Sequence, residues 1–78
     1  MSIETKVTEV LQKVLDVEAS EIKGDASLAT AFGVDSTEMV EISVGIKKSL
    51  GVPIGDNELK KTHSFDQIVE ILKGKGAQ

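Results

Sequence analysis

The chain has no cysteine, tryptophan, tyrosine or arginine, and only one histidine, one proline and two phenylalanines. Without cysteine there are no disulfides, thiolate metal sites or cysteine nucleophiles. One histidine and no cysteine leave a zinc site without ligands. With no arginine and no aromatic platform for bases, nucleic acid is excluded as a partner. No apolar run approaches the ~20 residues needed to cross a bilayer. The N-terminal Met-Ser-Ile-Glu has neither the basic nor the apolar region of a signal peptide, so a cytoplasmic protein is expected.

What is present is aliphatic and acidic. The 78 residues are 40% hydrophobic and 28% charged, ordinary usage for one small domain over residues 1–78. A chain this short buries only about 60% of the surface it exposes when unfolded, so Val, Ile and Leu must build a thin core. Nine lysines oppose thirteen acids, for a net charge of −4. Residues 1–39 hold eight of the acids and three of the lysines, so the excess lies in the front half.

Three segments show helical period. From Ile3 to Asp16, the residues Ile3, Val7, Val10, Leu11, Val14 and Leu15 share one face, and Ser2 can cap the first turn. From Ser36 to Leu50, Asp35 and Glu38 have the spacing of a capping box, and Gly51-Val52-Pro53 stops the helix. From Phe65 to Lys73, Ser64 and Gln67 repeat the capping-box spacing. Residues 17–34 read as a long loop that plugs Val17, Ile22, Leu28 and Phe32 into the core, with Gly33 at a left-handed turn. A short helix is expected around Asp56–Lys61, and residues 74–78 form a flexible tail. The fold class is therefore all-α, a small four-helix bundle of three longer helices and one short one. Its most buried residues should be Val10, Val14, Ile42, Ile46, Leu50, Ile68 and Leu72.

Catalytic machinery is absent from the pattern: no nucleophile elbow, phosphate loop or calcium loop is present, and His63 reads as a structural loop residue. The chain is read as no enzyme. The informative place is the start of the second long helix. There Ser36 meets free amides and the positive end of the helix dipole, worth typically 0.3–1 kcal/mol to an exposed phosphate. On position alone, a serine at a helix start is more often just a cap. On the helical wheel Met39, Ile42, Ile46 and Leu50 form the core face. Val40 and Val44 fall on the side of Ser36, Thr37 and Glu41, either beneath the short helix or as an exposed contact patch.

Gly33-Val34-Asp35-Ser36-Thr37-Glu38-Met39-Val40-Glu41 resembles the Gly-x-Asp-Ser-Leu-x-x-Val-Glu signature of acyl carrier proteins. The resemblance extends over nearly the whole chain in element order and acidity. It implies that Ser36 carries a covalent 4′-phosphopantetheine, transferred from coenzyme A by a pantetheinyl transferase. The thiol of that arm would hold an acyl chain as a thioester, which accounts for a thioester carrier without cysteine. It further implies that Asp35, Glu38 and Glu41 meet basic patches on acyl-processing enzymes of fatty-acid, polyketide or related lipid biosynthesis. Val40, Val44 and Thr37 would be their companions, Ile54 would border the groove beside the helix, and the carrier would act as a monomer.

Several positions depart from the signature. Thr37 stands in place of leucine, Lys47 and Lys48 in place of acids, and Ala31-Phe32 in place of an acid and leucine. Gly45 is an unusual mid-helix residue that costs ~1 kcal/mol relative to alanine. These departures suggest a carrier with specialised partners. A peptidyl or D-alanyl type of carrier, or an unmodified helical interaction domain, would satisfy the same pattern more loosely.

Overall fold

The computed structural model describes residues 2–55 and 58–76. Helix α1 spans Ile3–Leu15, α2 Leu28–Phe32, α3 Ser36–Leu50 and α4 Phe65–Gly74, with a 3₁₀ turn at Ala19–Glu21. No β-strand occurs among the described residues; one isolated antiparallel bridge joins Ser27 to Ser64. The Cα radius of gyration is 11.0 Å, close to the value of about 12 Å expected from compactness scaling for a chain of this length.

Each helix begins where a side chain takes up an amide of the first turn. Ser2 accepts from the Thr5 amide, Ser27 from Thr30, Asp35 from Glu38 and Ser64 from Gln67. Two of these are complete capping boxes, with Glu38 and Gln67 reaching back to the cap amides. Gly33 and Gly51 end α2 and α3 in the left-handed region, at φ 66° and 68°, where a Cβ would be strained. Asp16 ends α1 at φ 55°; aspartate is among the few side chains that tolerate this conformation.

The apolar faces converge on one core. Val7, Leu11, Ile42, Ile46, Ile68 and Leu72 are fully buried, and Leu28, Val34 and Leu59 are inserted from outside the long helices. Val14 and Leu50, expected among the most buried residues, are only half-buried. Both lie in the last turn of their helices, and because α1 and α3 run antiparallel these are opposite ends of the bundle. A helical wheel gives the direction of a side chain but not its depth along the axis.

Two local expectations are corrected. The short helix lies at 28–32 rather than 56–61. Five residues are too few to show a helical period, yet Ser27 caps them and Leu28 and Phe32 sit one turn apart. Asp56 and Asn57 lie outside the described residues, and Glu58–Lys61 forms a turn and bend. There the Lys60 amide, which a helix would pair with a carbonyl one turn back, donates instead to His63 Nδ1 at 3.0 Å, while Glu58 Oε1 accepts from the Gly55 amide at 2.6 Å. His63 is thus a structural loop residue, with its ring proton on Nε2. At the C-terminus, α4 takes in Gly74, and the Lys75 amide donates to the carbonyls of Ile71 and Leu72. Ala77 and Gln78, the end of the expected tail, lie outside the described residues.

α1 packs chiefly on α3 and also on α4. The α1–α3 contact explains Gly45. A Cβ built there would stand 2.9 Å from Val10 Cγ1, the end of a stiff, buried, β-branched side chain. Overpacking costs typically 1–3 kcal/mol, against a helix-propensity gain of about 1 kcal/mol for alanine. Gly45→Ala is therefore expected to lose about 1 kcal/mol in urea unfolding. In a Val10→Ala background the same change should be neutral or stabilising. Stabilisation in the wild-type background would show that the close approach is not what keeps glycine at this position.

Candidate functional site

The start of α3 is built by a division of labour between adjacent residues. Asp35 is the cap: its Oδ1 accepts from the Glu38 amide at 2.8 Å, while Glu38 Oε1 accepts from the Asp35 amide at 3.2 Å. Ser36 is the first helical residue, exposed, and its Oγ makes no hydrogen bond among the described residues. It is not a cap, unlike Ser2, Ser27 and Ser64, whose hydroxyls are engaged by backbone amides. The capping alternative for Ser36 is thereby removed.

A groove of about 380 Å³ runs along α3 from this serine, near the lower end of the range for small-molecule sites. Ser36, Met39, Val40 and Val44 line one wall, and Ile54 and Leu59 the other. Val40 and Val44 are 62% and 45% exposed, the two large hydrophobic residues left in solvent among those described. The wheel's ambiguity is resolved: they form an exposed apolar edge rather than packing beneath a helix. Asp35, Thr37 and Glu41 are exposed and Glu38 is half-buried; none of the four lines the groove. The structure thus separates the candidate residues into an apolar set facing the groove and a polar set around the start of α3.

The far wall is not helical, and its rigidity comes from long-range ties. The Lys61 carbonyl accepts from the Ala29 amide at 2.9 Å, and the His63 carbonyl from the Leu28 amide at 3.0 Å. Leu59 is buried in the core. Glu58 pairs with Lys75 at 2.7 Å, tying the wall to the end of α4. The hydrogen bond from Lys75, followed by that from the Gly55 amide, holds the Glu58 carboxyl below its ordinary value of 4.5. The tie is therefore fully present above the ordinary carboxylate range and is lost as pH falls through the lowered value. At the other end of α3, Lys47 and Lys48 occupy the last turn, where cations complement the helix dipole. Lys47 also lines the groove and Lys48 does not. Sequence reasoning missed Met39, Ser43, Lys47, Gly55, Leu59, Lys60 and Lys61 as groove residues. Met39 shares its turn with Ser36 and could have been found from the wheel. Ser43 and Lys47, two and three turns on from Ser36, could have been found the same way; Gly55, Leu59, Lys60 and Lys61 are brought there by the fold.

No helix of the described residues is long and apolar enough to cross a membrane, and no cluster of potential metal ligands occurs among them. An exposed, unengaged hydroxyl at a helix start beside an apolar groove is placed to bear a covalently attached group. The phosphopantetheine attachment site family matches residues 5–72. An acyl carrier protein of Nitratidesulfovibrio vulgaris strain Miyazaki F is 28% identical over 75 residues, covering 96% of this chain and 99% of the relative. An acyl carrier protein of Petrotoga mobilis is 33% identical over 70 residues, covering 90% and 82%. A match that begins in α1 and ends in α4 takes in every buried core residue but Ile3, and on it the chain belongs to the acyl carrier protein family, whose prosthetic group is 4′-phosphopantetheine.

Proposed function

We propose that this protein is a non-catalytic acyl shuttle of the cytoplasm, acting as a monomer, with the phosphopantetheine arm esterified to Ser36 Oγ. The observation that carries the reading is the uncapped, exposed Ser36 at the mouth of the groove, next to a cap that Asp35 already supplies. The residues fit the group: the phosphate would face the positive end of α3, and the groove offers apolar surface to what the arm carries. When bound, the arm supplies a thiol on which an acyl group is held as a thioester. Val40, Val44 and Ile54 shelter apolar cargo or meet a partner's apolar surface. Asp35, Glu38 and Glu41, with Thr37 among them, present the acidic face read by a pantetheinyl transferase and by basic patches on acyl-processing enzymes of fatty-acid, polyketide or related lipid biosynthesis. The test is incubation of the apo-protein with an acyl-coenzyme A and a broad-specificity transferase. One acyl-phosphopantetheine should be gained by intact mass, and hydroxylamine should then remove the acyl group alone. A mass that never changes would refute the carrier reading.

The charge reversal along α3 bears on partner choice. A partner with a long basic stripe is attracted by Asp35, Glu38 and Glu41 and repelled by Lys47 and Lys48, which slows encounter. The Lys47→Glu, Lys48→Glu double variant is expected to raise kcat/KM for a ketosynthase with such a stripe by about threefold or more at low salt, and less at physiological ionic strength, where screening sets in beyond ~8 Å. Lys48→Glu alone separates the surface effect, because only Lys47 lines the groove. No gain at low salt would mean that the basic end of α3 does not select partners.

A further inference from the structure

Among the described residues, the charged side chains that line the groove beside Ser36 are all cationic. Lys47 stands on the α3 wall, and Lys60 and Lys61 on the wall opposite. Between them lie the buried Met39 and Leu59 and the half-buried Ile54. Among the described residues no Asp or Glu lines the groove, although acids outnumber lysines in the chain as a whole. Three cations around an apolar trough form a site for an amphipathic anion: a hydrocarbon stretch that ends in, or is interrupted by, negative charge.

Two anions could come from the loaded carrier, the phosphodiester of the arm and a carboxylate on the cargo. Reach separates them. Ser36 and Lys47 are eleven residues apart on one helix, about 16 Å along its axis at 1.5 Å per residue. A phosphate esterified to Ser36 stays at the start of α3 and cannot be met by Lys47. The arm spans about thirteen bonds from phosphorus to sulfur, or about 15 Å when extended at the per-bond reach of a peptide backbone. Its far end, and whatever is attached there, can reach the Lys47 end of the trough.

The geometry points to a carrier whose groove takes acyl groups bearing a carboxylate, such as dicarboxylic acids held by one carboxyl as the thioester, in preference to neutral chains of the same length. The trough receives the methylenes and the lysines receive the carboxylate. This inference rests on the carrier reading and deepens it by naming the class of cargo. It also gives Lys47 a role distinct from that of Lys48.

The experiment loads the apo-protein from glutaryl-coenzyme A and from pentanoyl-coenzyme A, which differ in the terminal carboxylate at equal chain length. Intact mass first establishes that each sample carries one acylated arm. The rate of thioester cleavage by hydroxylamine and the ¹H–¹⁵N spectrum are then compared with those of the unacylated holo-protein. The glutaryl thioester is expected to be cleaved about threefold more slowly than the pentanoyl one at low salt, the factor a surface ion pair of typical strength supports. The difference should shrink in high salt and vanish in the Lys47→Gln, Lys60→Gln, Lys61→Gln variant, whose fold is checked by its thermal midpoint. The glutaryl sample should also shift the amides of Lys47, Leu59 and Lys60 beyond their positions in the holo-protein. Equal cleavage of the two thioesters would overturn the inference and leave the carrier reading intact. So would lysine signals that the unacylated arm moves fully and that glutaryl moves no further, since the anion bound would then be the phosphodiester. Failure to load from either thioester would overturn the carrier reading, and this inference with it.

Discussion

Ile46→Ala should remove about 2–5 kcal/mol of stability, the range seen when a fully buried aliphatic side chain is cut back to a methyl group. Ile46 has no exposed surface and belongs to the core that α1, α3 and α4 share. Truncation loses the transfer free energy of its outer carbons and leaves a cavity that stiff neighbours cannot fill. Domains have only about 5–15 kcal/mol to lose, and one this small belongs at the low end. The variant should therefore unfold at a much lower urea concentration or be partly unfolded without denaturant. Val44 supplies the control on the same helix. It is two positions away, about 200° around the axis, and 45% exposed. Val44→Ala should cost no more than about 0.5 kcal/mol, as surface substitutions do. Urea melts of the two variants decide the matter. A loss below about 1 kcal/mol for Ile46→Ala, or equal losses for both, would mean that the core does not lie among α1, α3 and α4 as described.

The three long helices were legible because their ends are written in side chains as well as in apolar period. Ser2, Asp35 with Glu38, and Ser64 with Gln67 mark starts that the structure places where the sequence predicts them. Ser36 was legible for a related reason: in the sequence it directly follows the capping aspartate, within a recognisable signature. What could not be read depends on distant parts of the chain meeting. Leu59, Lys60 and Lys61 become a wall of the groove only because Leu28 and Ala29 bond to the carbonyls of His63 and Lys61 across more than thirty residues. The same bonds explain why α2 forms where a loop was expected and why Glu58–Lys61 turns instead of coiling. Gly45 likewise looked like a defect of α3 until Val10 was found against it. Lys47 and Lys48 read as a pair in sequence, and the fold turns only Lys47 toward the groove.

Ser36→Ala should abolish loading while leaving the fold intact. The hydroxyl is the sole attachment atom in the proposed chemistry, so its loss should be all-or-none rather than graded. The structural cost should be small because the cap of α3 is Asp35, not Ser36, and alanine is the best helix former at an exposed position. The thermal midpoint should stay within a few degrees, corresponding to less than about 0.5 kcal/mol. Asp35→Ala should behave in the opposite sense, losing about 1 kcal/mol of stability through the lost cap while still presenting the serine.

The most direct measurement is intact mass of wild-type protein and of Ser36→Ala, each incubated with coenzyme A, magnesium and a broad-specificity pantetheinyl transferase. Peptide mapping then follows on whatever product forms. The wild type should gain one phosphopantetheine, mapped to the peptide that contains Ser36, and the alanine variant should gain nothing while keeping the wild-type unfolding midpoint. Loading of the alanine variant, or attachment mapped to Ser20, Ser43 or another serine, would contradict the assignment of Ser36 and of the groove beside it.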